Sequence, residues 1–251
     1  MPYVHSGSYV PLSSKSRTYV VNSYGGCGSK MLAGWLTDLP AANVKTVKHM
    51  HDPNPPKDVK AFNRPLNEAT RQPDYRSRHI PGGWYQHQTG GSPLPLDSYD
   101  SFRYIYLVKE PVEGLVSRYC YGHCLNVGGA CGTSEAAFPS LAAYALSGVD
   151  SMGLGSFYEH WTSPPPPSSS GRRYPVIVLN YHKMWDDLPA LMDALSLPRD
   201  LAATFPAREE TVRSGDAGDK KGPSADTRKR LKDIYKPLRD KIRGMDAVYV
   251  V

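Results

Sequence analysis

Thr18-Tyr19-Val20-Val21-Asn22-Ser23-Tyr24-Gly25-Gly26-Cys27-Gly28-Ser29-Lys30-Met31-Leu32-Ala33-Gly34-Trp35-Leu36 holds the first clear pattern in the chain. Thr18 to Asn22 is a short, apolar, β-branched run, the pattern of a buried strand. Ser23 to Gly28 follows as a glycine-rich turn, and Met31 to Leu36 forms the apolar side of a helix. Strand, glycine turn and helix together open an α/β unit of the phosphate-binding kind. Glycines let backbone N–H groups approach an anion, and the helix N-terminus adds positive potential. Ser29 and Lys30 can then donate to phosphate oxygens. A nucleotide-kinase P-loop requires Gly, four residues, Gly-Lys and then a hydroxyl for magnesium. Here Ser29 follows Gly28 and Met31 follows Lys30, so both the spacing and the metal hydroxyl fail.

Working outward, residues 44–51 (VKTVKHMH) read as a second short strand. Phe102 to Val108 is the strongest strand pattern; Pro111 ends it, and Val112 to Tyr121 is expected to be helical. Residues 138–161 read as helical in two pieces, Val176 to Leu179 as a buried strand, and Leu188 to Leu195 as an amphipathic helix. Asp226 to Arg243 reads as a basic helix that Pro237 kinks or breaks. Strands separated by helices predict an α/β fold with a central parallel β-sheet flanked by helices on both faces. Pro and Gly supply twelve of the forty-five positions from Asp52 to Leu96. The region 52–100 is therefore expected to hold one or two short helices and long substrate-side loops. Pro164 to Ser170 (PPPPSSS) reads as a polyproline-like surface connector. The expected organisation is one domain over 1–251, with a flexible N-terminal segment over 1–17.

The 251 residues are 40% hydrophobic and 22% charged, which argues against wholesale disorder. No run of about 18 apolar residues occurs, so no membrane span is expected. The N-terminus lacks the apolar stretch of a secretory signal. Four cysteines argue against a disulfide scaffold and for a reducing compartment, here expected to be the cytoplasm. Cys120, His123, Cys124 and Cys131 lie close together but lack the paired spacing of a structural zinc site, so free thiols and no metal are expected. The net charge is +6, and residues 208–243 hold twelve Lys/Arg against seven Asp/Glu. A basic surface suits nucleic acid, an anionic membrane or a phosphorylated small molecule, and composition alone does not choose.

Three motifs, in order along the chain, resemble the sulfotransferases that use 3′-phosphoadenosine 5′-phosphosulfate (PAPS). Gly26-Cys27-Gly28-Ser29-Lys30-Met31-Leu32 overlays their first loop, which reads roughly Lys-Ser-Gly-Thr-Thr-Trp-Leu, or Lys-Gly-Gly-Thr-Arg-Ala-Leu in the heparan-modifying branch. The loop lysine, which stabilises the departing phosphate, is Gly26 here. Lys109-Glu110-Pro111 with Ser117 is similar to the family's strand-terminal Arg-Asp-Pro and following serine. Arg213-Ser214-Gly215-Asp216-Ala217-Gly218-Asp219-Lys220-Lys221 resembles Arg-Lys-Gly-x-x-Gly-Asp-Trp-Lys. Two further stretches, Gly155 to Trp161 and Val178 to Met184, are also similar to family segments.

The resemblance implies an in-line sulfuryl transfer from PAPS to a hydroxyl or amine of a small-molecule or carbohydrate acceptor, without a metal. It implies that the 5′-phosphosulfate meets Gly25, Gly26, Cys27, Gly28, Ser29, Lys30 and Met31. It assigns the 3′-phosphate to Lys109, Ser117, Arg213, Ser214 and Gly215, and an adenine contact to Thr204 and Phe205. The family's adenine-stacking tyrosine falls at Leu154. His49-Met50-His51-Asp52-Pro53 overlays the family's Lys-Thr-His-Leu-Pro, which gives His51 the place of the base and His49 that of the lysine. In an extended segment these two histidines face the same way and Lys48 the other. Lys30 is the nearest cation to replace the missing loop lysine, and Glu68 or Asp74 are the alternative bases. The rival readings are a P-loop nucleotide kinase and a basic nucleic-acid-binding protein. No aromatic RNA-binding motif or zinc finger supports the second, so no nucleic-acid partner is expected.

Overall fold

The computed structural model describes residues 17–51, 84–87, 102–120, 138, 140–163, 174–208 and 222–251. Its centre is a six-stranded sheet of β1 (Arg17–Asn22), β2 (Val44–Met50), β3 (Trp84–His87), β4 (Phe102–Val108), β5 (Val176–Asn180) and β6 (Val248–Val250), in the order β3-β2-β1-β4-β5-β6. β1 runs parallel to both β2 and β4, and β4 parallel to β5. β3 and β6 close the two edges in antiparallel pairing. The fold is thus α/β with a mostly parallel sheet flanked by helices.

Strands β1, β4 and β5 are buried along almost their whole length, which explains why they read as continuous apolar runs rather than alternating ones. The connections run in opposite directions from the middle. β1 passes through α1 (Ser29–Asp38) to β2 on one side. β4 passes through α2 (Pro111–Cys120), α3 (Leu141–Leu146) and α4 (Leu154–Thr162) to β5 on the other. Parallel crossovers are right-handed, so these two sets of helices cover opposite faces. The point where the direction reverses lies between the ends of β1 and β4, the position at which such sheets bind ligands.

Leu32, Ala33, Trp35 and Leu36 form the buried side of α1. On the α4 side, Tyr104 stacks on Trp161 with ring centroids 4.5 Å apart, and Tyr106 on Phe157 at 5.6 Å. Burial of each such side chain stabilises the fold by roughly 1.5–3 kcal/mol. α5 (Leu188–Leu195) starts at Asp187, whose carboxylate accepts from the amide of Ala190, with Pro189 in its first turn. A 3-10 turn covers Arg199–Thr204. The basic C-terminal segment is two helices, α6 (Ala225–Ile234) and α7 (Lys236–Gly244), separated at Tyr235, with Pro237 in the opening turn of α7.

Two edge strands depart from the sequence reading. Trp84–His87 lies in the region expected to hold only helices and loops, yet it pairs with β2. Val248–Val250 was not expected as a strand and pairs with β5. No helix among the described residues is long and apolar enough to cross a membrane. Residues 1–16, the rest of 52–101, His123, Cys124, Cys131, the connector Pro164 to Ser170 and Arg213, Ser214 and Gly215 lie outside the described residues, as does the side chain of Cys120.

Candidate functional site at the strand ends

The glycine turn sits at the reversal point and is held there from three sides. Gly25, Gly26 and Gly28 all take positive φ, of 86°, 68° and 78°. A Cβ on Gly25 would meet the Arg118 guanidinium, one on Gly26 the carbonyl oxygen of Gly114, and one on Gly28 the Tyr181 ring. The Tyr24 phenol fastens the turn to the end of β4. It accepts from the amide of Lys109 at 3.1 Å and donates to the Lys109 carbonyl. Arg118 reaches from α2 and donates to the carbonyl of Tyr24 at 2.8 Å. Cys27 is fully buried, and burial pushes its thiol up to about 12.

The N-terminus of α1 opens directly from this turn. Gly28 makes no side-chain cap, and the first turn of α1 holds no acidic residue, so nothing on the helix opposes its positive end. Lys30 is exposed on that first turn and forms no ion pair among the described residues. Met31 is partly buried and packs against the core.

A chain of hydroxyls and imidazoles lies beside the turn. The Gly25 amide donates to Ser23 Oγ, which donates to Ser29 Oγ at 2.9 Å, and Ser29 Oγ lies 2.8 Å from His49 Nε2. His51 Nδ1 lies 2.7 Å from the carbonyl oxygen of Ser23. A carbonyl only accepts, so Nδ1 carries the hydrogen and Nε2 is the basic nitrogen of the neutral ring. The two imidazoles meet edge to face, 4.8 Å apart, as the alternation of β2 requires. Lys48, which precedes His49 on β2, is buried, and burial lowers its pKa.

Lys109, at the end of β4, stands 3.8 Å from Glu113 and over the Tyr181 ring at 4.7 Å. Ser117 packs against the turn at Gly26. The structure thus gathers Gly25 to Met31, His49, His51, Lys109 and Ser117 around the turn. Thr204 and Phe205 lie beside the other end of α1. The Thr204 hydroxyl accepts from the Trp35 indole and donates to the Leu201 carbonyl, while Phe205 packs on Trp35 and Trp185. Phe205 is linked to the turn through Trp185 and Tyr181, whose rings are 5.3 Å apart. Leu154 is wholly buried in the core.

Sequence reasoning passed over Arg118, Tyr24 and Tyr181. Arg118 directly follows Ser117, a signal that was available; nothing in the sequence placed the two tyrosines against glycines. Searches of family models, curated proteins and solved structures found no match to this chain.

Proposed function

We propose that the protein is a PAPS-dependent sulfotransferase. The observation that carries this reading is the convergence, at the reversal point of the sheet, of an uncapped helix N-terminus, a glycine turn and a histidine with a defined tautomer. The first supplies donors for a phosphosulfate, the second allows close approach, and the third supplies a base. Lys109 and Ser117, on the neighbouring strand end and helix, are the residues this reading assigns to the second phosphate of the nucleotide.

In the transfer, the acceptor oxygen or nitrogen attacks sulfur as its proton passes to His51 Nε2. The new bond to sulfur forms while the bond from sulfur to the bridging phosphate oxygen breaks, and that electron pair leaves on the 5′-phosphate. Gly26 has no room for the family's lysine, so the leaving charge falls to the amides opening α1 and to Lys30. His49 is fixed through Ser29 and keeps the hydroxyl chain beside the turn in register.

Incubation with PAPS and a panel of phenols, sterols, amines and sugars, read by release of adenosine 3′,5′-bisphosphate, tests the reaction. His51→Ala is expected to lower kcat by on the order of 10²–10⁴-fold with the bisphosphate affinity nearly unchanged. Full turnover in that variant would place the base elsewhere. Release of ADP from ATP and magnesium, with no reaction of PAPS, would replace this reading with the kinase one.

A further inference from the structure

A second concavity lies on the far side of Glu113. It is a cavity of about 450 Å³ between the opening turn of α2, the end of β5 and the facing sides of α6 and α7. Its size is that of a pocket for a small organic molecule rather than for a bare ion.

The wall carries Arg228 and Lys232 from α6 and Arg239 and Arg243 from α7. Each pair is spaced i,i+4, so like charges stack on one side of each helix, an arrangement that costs stability. Among the described residues only Arg239 of these four is neutralised, by an ion pair with Glu110. Arg228, Lys232 and Arg243 form no ion pair among the described residues. Lys183 also lines the cavity, but its ammonium is spent on the carbonyls of Arg243 and Met245, at 3.1 and 2.6 Å.

The floor is rigid and contains one unmet need. The Asn180 side chain donates to the Ile242 carbonyl and accepts from the His182 amide, both at 3.1 Å. His182 Nε2 is buried and has no hydrogen-bond partner. Glu113 Oε2 stands 3.4 Å from it without hydrogen-bonding geometry. Buried ring nitrogens are normally satisfied, so this one points to a group that completes the cavity.

We propose that this cavity is a second anion-binding site, which takes a sugar-sized molecule bearing a phosphate or sulfate ester. Arg228, Lys232 and Arg243 supply the charge, and His182 Nε2 supplies a directed hydrogen bond. The site borders the turn through Glu113, which also faces Lys109 at 3.8 Å, but its cations come from α6 and α7. It stands whether or not the turn binds PAPS.

Calorimetric titration with glucose, glucose 6-phosphate and glucose 6-sulfate tests it. At least one ester is expected to bind tenfold or more tightly than glucose, and the better ester identifies the group. Arg228→Ala/Lys232→Ala is expected to reduce that affinity at least tenfold, and His182→Gln to reduce it severalfold. Lys229→Ala/Lys236→Ala removes the same charge from positions outside the cavity and is expected to change it less than twofold. Should the first double variant melt early, Arg228→Ala alone serves in its place. Esters that bind no better than glucose, or equal losses in both double variants, would overturn the proposal. So would competitive displacement of the ester by adenosine 3′,5′-bisphosphate, which would make the cavity part of the nucleotide site.

Discussion

A Cβ on Gly26 would stand 2.4 Å from the carbonyl oxygen of Gly114, and the residue already holds φ at +68°. Backbone oxygen cannot give way as a flexible side chain can. Gly26→Ala is therefore expected to destabilise the protein by at least about 2 kcal/mol, from the left-handed conformation and the clash together. Gly34, inside α1 with nothing within 4 Å of its would-be Cβ, is the opposite case. Gly34→Ala is expected to stabilise by about 0.5–1 kcal/mol. Urea unfolding of the two variants checks both signs. His182 supplies a pH dependence. Burial lowers its pKa below 6.5, against the opposing pull of Glu113 and Glu110 and helped by Lys109 and Arg208. Below pH 6.5 the unfolded chain then binds more protons at this residue than the native protein, so its contribution is present above that pH and lost as pH falls. His182→Gln is expected to flatten the decline in stability between pH 7.5 and 5.5, measured by urea midpoints; an unchanged decline would assign it to other groups. Some of this scale was legible in advance. The alternation of VKTVKHMH puts His49 and His51 together because a strand has period two. Contacts such as Arg118 under Gly25 depend on how α2 lands on the turn, which no local pattern encodes.

Asp150 joins three elements. Its carboxylate accepts from the amides of Leu154 and Gly155 at the start of α4, at 3.0 and 2.8 Å, and from the Tyr235 hydroxyl between α6 and α7 at 2.7 Å. Tyr235 also bonds Tyr144 of α3, so the one carboxylate docks the C-terminal helices on the α3–α4 pair. Asp150→Ala removes a helix cap and leaves a buried hydroxyl pair without its acceptor. A loss of about 1–3 kcal/mol is expected, read as a lower denaturation midpoint. A loss no greater than that of a surface substitution such as Ser151→Ala would deny Asp150 this linking role. At this scale the sequence patterns were strongest where an element is long and buried. Leu188–Leu195 and Phe102–Val108 fall where their apolar runs and flanking prolines put them. The two edge strands escaped because Trp-Tyr-Gln-His sits in a stretch rich in proline and glycine and Val-Tyr-Val is only three residues long. Short edge strands are formed by the neighbour they pair with more than by their own propensity.

For the whole molecule, strand order decides where chemistry can occur. The reversal between β1 and β4 brings the glycine turn, the start of α1 and the two histidines together at the strand ends. The parallel sheet and its flanking helices were legible from the alternation of strands and helices; the reversal point was not, because strand order is a property of long-range pairing. The net charge of +6 favours an anionic ligand over the whole surface. The most direct test is the melting temperature with adenosine 3′,5′-bisphosphate, compared with ATP and magnesium at equal concentration. The account predicts that the bisphosphate raises it clearly, with about 2.7 kcal/mol of stabilisation at a hundred times its dissociation constant, and that ATP does much less. No shift with the bisphosphate, or a larger one with ATP and magnesium, would contradict it.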